Sequence, residues 1–186
     1  MKTLAGKAVA SVVMTLVMGA AAPAGAALDV GQRAPAFSAQ AALGGKPFTY
    51  SLSAALARGP VVVYFFPAAF TQGCSIEAHA FAEAIDQFAA LGATVIGVST
   101  DDIDTLAKFS SQACQGKFPV ASDEGKTISQ SFDAIMQTRP DYATRVSYVI
   151  APDGTVAAQY QSLNPEKHVE KMLDAVRALP RSGGAK

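Results

Sequence analysis

Six residues, Val61-Val62-Val63-Tyr64-Phe65-Phe66, form an unbroken β-branched and aromatic run that ends at Pro67. A run of this kind reads as a strand buried on both faces, which needs covering layers on both sides of its sheet. Behind it, from about Gln72 to Leu91, Ala78, Phe81, Ile85 and Phe88 recur at spacings of three and four. That spacing predicts an amphipathic helix, with Gly92 as its stop. A second strand is expected from Ala93 to Ser99. Strand, helix and strand make a β-α-β unit, so the two strands lie parallel and the crossover is right-handed.

The remaining pattern extends this unit. Residues 27–35 read as an extended lead-in, and apolar stretches at 36–43 and 47–52 flank Gly44-Gly45, a hairpin signal. Residues 102–113 read as a second helix, 118–121 as a strand and 125–134 as a short helix. Val146 to Ala151 and Thr155 to Gln161 are strands joined by Pro152-Asp153-Gly154, a turn that makes them antiparallel neighbours. Asn164 is placed to cap a closing helix with Pro165 at its first position, and Val169, Met172, Leu173 and Val176 form its apolar stripe. The expected architecture is α/β, a mixed sheet flanked by helices on both faces, in the arrangement of a thioredoxin-like fold.

The 186 residues are half apolar and 16% charged, which argues against disorder. Fifteen basic residues balance fifteen acidic ones, so no generic electrostatic grip on nucleic acid or an anionic membrane is expected. The N-terminus stands apart. Lys2 and Lys7 precede an apolar run from Ala8 to Ala22, and Pro23 leads into Ala24-Gly25-Ala26. The run, about 15 residues, is shorter than the roughly 20 that span a bilayer. This is the grammar of a secretory signal peptide over residues 1–26, cleaved after Ala26 to leave one domain, 27–186. Cleavage removes two basic residues and no acidic one, leaving a slightly negative chain with no membrane attachment. A periplasmic or secreted location is expected, and both cysteines would function there.

Two cysteines are too few for a disulfide framework, or for a zinc site built on thiols alone. Cys74 sits where the buried strand gives way to the helix. Unpaired N–H groups and the positive dipole end at a helix start favour a thiolate. Position alone leaves two readings open, a nucleophile or a small buried apolar residue. The neighbours decide between them. Pro67-Ala68-Ala69-Phe70-Thr71-Gln72-Gly73-Cys74 spells P-x-x-x-T-x-x-C, Cys74 to Glu77 spells C-x-x-E, and Arg145 stands before the hydrophobic strand that opens at Val146. In these parts, and over most of residues 29–178, the chain resembles the peroxiredoxins, and within them the bacterioferritin-comigratory or Q-type branch.

The resemblance implies a thiol peroxidase acting on hydrogen peroxide or organic hydroperoxides. Cys74 would be the nucleophile and pass through a sulfenic acid. Arg145 would lie beside the sulfur and favour its charged form. Thr71 would accept from the peroxide while donating toward the sulfur. Pro67 would shape the loop and shield the thiolate, Glu77 would hold Arg145, and backbone N–H groups near Gly73 would stabilise the leaving oxygen. Many Q-type members carry a second cysteine five residues after the first; here that position is His79. Cys114, near the end of the second helix, is the remaining thiol and the expected resolving partner, with re-reduction by a thioredoxin-like or other thiol donor. The alternatives are a one-cysteine cycle with an external thiol, or a thiol-disulfide exchange protein, against which Thr71 counts because it stands where C-x-x-C needs a cysteine. His79 reads as a solvated or satisfied helix residue and His168 as a surface one. No metal or nucleotide cofactor is expected, and the two-thiol layout is compatible with a monomer or a homodimer.

Overall fold

The computed structural model describes residues 27–180. The expected signal segment, 1–26, lies outside the described residues. The elements in chain order are β1 (Ser38–Leu43), β2 (Lys46–Ser51), α1 (Leu52–Leu56), β3 (Val61–Phe65), α2 (Gln72–Ala90), β4 (Thr94–Ser99), α3 (Ile103–Gln112), β5 (Val120–Ser122), α4 (Thr127–Ser131), β6 (Val146–Ile150), β7 (Val156–Gln161) and α5 (Glu166–Ala178). Seven strands form one sheet in the order β2-β1-β5-β4-β3-β6-β7. β3 pairs parallel with β4, and β4 with β5; the other pairs are antiparallel. The mixed sheet and the β3-α2-β4 crossover follow the expectation from the sequence.

β3 lies next to the middle of the sheet and all five of its residues are buried. Alternation sends Val62, Tyr64 and Phe66 to one side, where they pack with Phe81 and Phe88 of α2, Leu106 and Phe109 of α3, and Met172 of α5. Val61, Val63 and Phe65 face the other side and meet Leu52 and Ala55 of α1, Ile128 of α4 and Phe132. A two-faced core explains the continuous apolar run. Truncating a fully buried ring such as Phe81 to alanine costs about 3–5 kcal/mol in such a setting.

Local chemistry sets the boundaries. The β1–β2 hairpin turns on Gly44 and Gly45, with φ of 56° and 82°, the left-handed pair a two-residue type I′ turn requires. The lead-in is held against the far edge by Gly31 N–H to the Val156 carbonyl and Val156 N–H to the Gln32 carbonyl, both 2.8 Å.

Three details differ from the sequence reading. Leu52, read as the end of the second stretch, instead opens a short helix over 52–56; Ser51 Oγ accepts from Ala54 N–H at 3.4 Å and starts it. α4 is shorter than expected, bounded by Lys126 and Asp133 at φ of 59° and 50°. α5 begins one residue later, with Asn164 Oδ1 accepting from Glu166 N–H at 3.1 Å. A larger correction concerns His168, which is fully buried and not on the surface. It heads the stripe His168, Met172, Val176, at four-residue spacing on the face of α5 that meets the sheet.

Candidate active site

The site forms where β3 ends. Phe65 is in register with Val146 of the antiparallel neighbour β6, so Arg145 arrives beside the point where the chain leaves the sheet. Residues 67–71 then loop into α2. Thr71 occupies the N-cap position with extended backbone, and Cys74 falls in the first turn of the helix, 1% exposed. The first-turn N–H groups have no helical acceptor, and no side chain caps them.

Arg145 links the two other residues on which the site turns. Its Nη2 donates to Cys74 Sγ at 3.3 Å, and its Nη1 donates to Glu77 Oε2. Glu77, one turn after Cys74, has no exposed surface, and Arg145 keeps 8%. Burial pushes the Glu77 carboxyl up to about 8 against the opposing pull of Arg145. Burial alone would lower Arg145, but the carboxylate and the sulfur outweigh it and hold the guanidinium charged. The structure thus brings Cys74, Glu77 and Arg145 together across 71 residues of chain. Gly73 leaves the space for this: a Cβ there would lie 3.1 Å from Arg145 Nη2.

Thr71 does not cap the helix. Its hydroxyl donates to the Ala68 carbonyl at 2.9 Å. The proton is committed to the loop, so the oxygen is left to accept, and donation toward sulfur is not the arrangement found. Pro67 is half-buried at the head of the loop. Phe70 adopts left-handed backbone, φ 61°, and lays its ring edge-on to Phe109 of α3 at 5.3 Å.

Sequence reasoning missed Asp101. Its Oδ2 accepts from Ala69 N–H at 2.7 Å and from the Ser99 hydroxyl at 2.6 Å, tying the active loop to the end of β4. Nothing in the run Ser99-Thr100-Asp101-Asp102 distinguishes that carboxylate from its neighbour, which caps α3 through Thr105 N–H at 2.7 Å.

Cys114 follows α3 directly and belongs to the same apolar cluster as Cys74, with Phe109 and Phe118. Both thiols are free and buried. Burial pushes the Cys114 thiol well up, so it is held protonated. Its turn is irregular: Cys114 N–H reaches back to the Phe109 carbonyl at 3.2 Å, and Gln115 and Gly116 have φ of 53° and 67°. His79 is exposed and satisfied, 2.9 Å from Gln115 Nε2 and 3.2 Å from Glu83.

The AhpC/TSA family model matches residues 30–159. A chloroplastic peroxiredoxin Q from Suaeda salsa is 34% identical over 121 residues, covering 64% of this chain and 56% of that protein. The chain therefore spans little more than half the length of that relative. A Mycobacterium tuberculosis relative is 34% identical over 137 residues, covering 71% of this chain and 86% of its own. Among solved structures, the peroxidoxin BcpB from Mycobacterium tuberculosis superposes with a TM-score of 0.73 at 29% identity, over 81% of this chain and 97% of that one. Fold, motif and relatives agree, and the chain belongs to the AhpC/TSA family of peroxiredoxins.

Proposed function

We propose that the protein is a thiol peroxidase that reduces hydrogen peroxide and organic hydroperoxides. The observation that carries this reading is the 3.3 Å contact from the Arg145 guanidinium to Cys74 Sγ at the start of α2. The sulfur attacks one peroxide oxygen, the O–O bond breaks, and the other oxygen leaves as water or alcohol after taking a proton; Cys74 is left as a sulfenic acid. Arg145 and the first-turn N–H groups stabilise the charge as it moves onto the leaving oxygen. Thr71 accepts from the peroxide hydroxyl. Glu77 holds Arg145, and Pro67 and Asp101 shape the loop around the thiolate.

Cys114 resolves the sulfenic acid: its thiol attacks Cys74 sulfur, water leaves, and a disulfide forms. A thioredoxin-like dithiol then returns both cysteines to thiols. A disulfide needs Cα atoms within about 7 Å, and Cys114 must become exposed, so the 113–117 turn has to unwind. Its left-handed residues support that step. The complete burial of Cys114 favours a second reading, a one-cysteine cycle with an external thiol. The basic, apolar and A-x-A segments of residues 1–26 support export to a periplasmic or extracellular space.

Cys74→Ser tests the activity, with complete loss of peroxide reduction expected; full retention refutes it. Trapping thiols after one equivalent of peroxide and mapping them by mass spectrometry tests the resolving step. A Cys74–Cys114 disulfide is expected, and accumulated sulfenic acid with Cys114 still free assigns the one-cysteine cycle.

A further inference from the structure

Behind the Arg145–Glu77 pair lies a second buried layer. Glu77 Oε1 is buried with no hydrogen-bond partner among the described residues, and His168 Nδ1 of α5 stands 3.5 Å from it. The same Nδ1 is 2.8 Å from Ser147 Oγ of β6, and Nε2 is 3.0 Å from the Ser162 carbonyl. A carbonyl only accepts, so Nε2 carries its proton in either charge state. Nδ1 is therefore the atom at which this imidazole titrates. Neutral, it accepts from the Ser147 hydroxyl and Glu77 Oε1 has no donor. Protonated, it becomes a donor within reach of that oxygen.

We infer that His168 is a positioning residue for the reactive thiol: through Nδ1 it completes the shell of Glu77, and its proton controls how firmly Glu77 anchors Arg145 against Cys74. The inference rests on the peroxidase reading only for its kinetic expression; the chain of contacts stands without it. Cys74 and Glu77 come from α2, Arg145 from the residue before β6, Ser147 from β6 and His168 from α5, so the relay exists only in the folded chain. The groups facing the imidazole are Glu77 from α2, Arg145 from the β6 lead, Ser147 from β6, and Tyr160 from β7, whose ring lies 4.9 Å away edge to face. Its sequence neighbours Glu166, Lys167 and Glu170 lie on the outer side of α5. Burial, aided by the charge of Arg145, holds the imidazole below its ordinary value, so it is neutral at pH 7 and takes its proton only at a lower pH.

Two variants separate the ring nitrogens. His168→Gln keeps a donor for the Ser162 carbonyl and loses the Nδ1 position. His168→Asn places an amide near Nδ1 that donates to Glu77 but does not titrate. In the full chain carrying Cys114→Ser, the rate of Cys74 oxidation by hydrogen peroxide and of its alkylation by iodoacetamide is followed from pH 4.5 to 8.5. The wild-type ring should add an inflection below about pH 6.5, the ordinary histidine value. His168→Gln should leave both rates near the wild-type values at pH 7, where the neutral ring donates nothing to Glu77, and should lose the inflection. His168→Asn, whose amide donates at every pH, should move the neutral-pH rates toward those of the protonated wild-type ring and also lose the inflection. An inflection below about pH 6.5 that persists in either variant overturns the inference, whatever the absolute rate, and reduces His168 to core packing. If His168→Gln fails to fold, His168→Asn decides by the same criterion. Alkylation that shows this dependence while peroxide leaves Cys74 unreacted refutes the peroxidase reading and upholds the relay.

Discussion

Replacing Arg145 with methionine keeps a long apolar stem and removes the guanidinium. Two contacts go with it, one to Cys74 Sγ and one to Glu77. A hydrogen bond to a charged group contributes about 1.5–3 kcal/mol, which becomes a roughly ten- to 150-fold slower reaction with peroxide. The effect on stability has a separate origin. Breaking a buried ion pair by deleting one partner costs about 3–5 kcal/mol when the other charge stays buried. Glu77 escapes that penalty by taking up a proton, since its folded value is already up to about 8 with Arg145 present and rises further without it. A carboxyl whose folded value exceeds its unfolded one contributes stability that is complete below the unfolded value. That contribution is lost as pH rises through the folded value. The deficit of Arg145→Met should therefore be smaller at pH 6 than at pH 9, measured by urea denaturation. Adding Glu77→Gln should remove the pH dependence and leave the slow peroxide step, measured by stopped-flow oxidation of Cys74. A wild-type rate in Arg145→Met, or a recovered rate in the double variant, refutes the reasoning.

Three further outcomes are expected. Thr71→Val should slow peroxide reduction about tenfold by removing an acceptor and leave the denaturation midpoint nearly unchanged, because the exposed hydroxyl makes one loop hydrogen bond, to the Ala68 carbonyl. Gly73→Ala should press a methyl against Arg145 Nη2 at 3.1 Å and lower the peroxide rate with little change in global stability; an unaltered rate shows that the guanidinium yields freely. Asp101→Ala should leave Ala69 N–H unpartnered, speeding amide exchange at Ala69 and slowing the peroxide step together; exchange that stays at the wild-type rate removes Asp101 from the loop's support.

The arrangement around Cys74 is split between local and long-range causes. The chain by itself determines the strand Val61–Phe65, the helix behind it and the placing of Cys74 at their junction, because periodicity and the Pro67 and Gly92 breaks act over a few residues. It also determines the motif around Cys74, which is contiguous. Arg145 could be named from the sequence only by resemblance, since the β3–β6 register that carries it to the sulfur is a pairing across the fold.

Asp101 and His168 were not legible in the sequence, for one reason. Each acts through a partner on another element, and a polar residue in a surface-like stretch carries no local sign of what it will face. His168 sits at an apolar heptad-like position yet reads as solvent-facing, because its type outweighs its spacing when the sheet beneath α5 is unknown. Tertiary structure decides that it is buried and turns its Nδ1 toward Glu77, because a buried imidazole must find partners for both nitrogens and the fold supplies them from β6 and the end of β7. The same holds for Cys114: sequence places it after α3, but only packing decides that its thiol is sealed in the core that also holds Cys74.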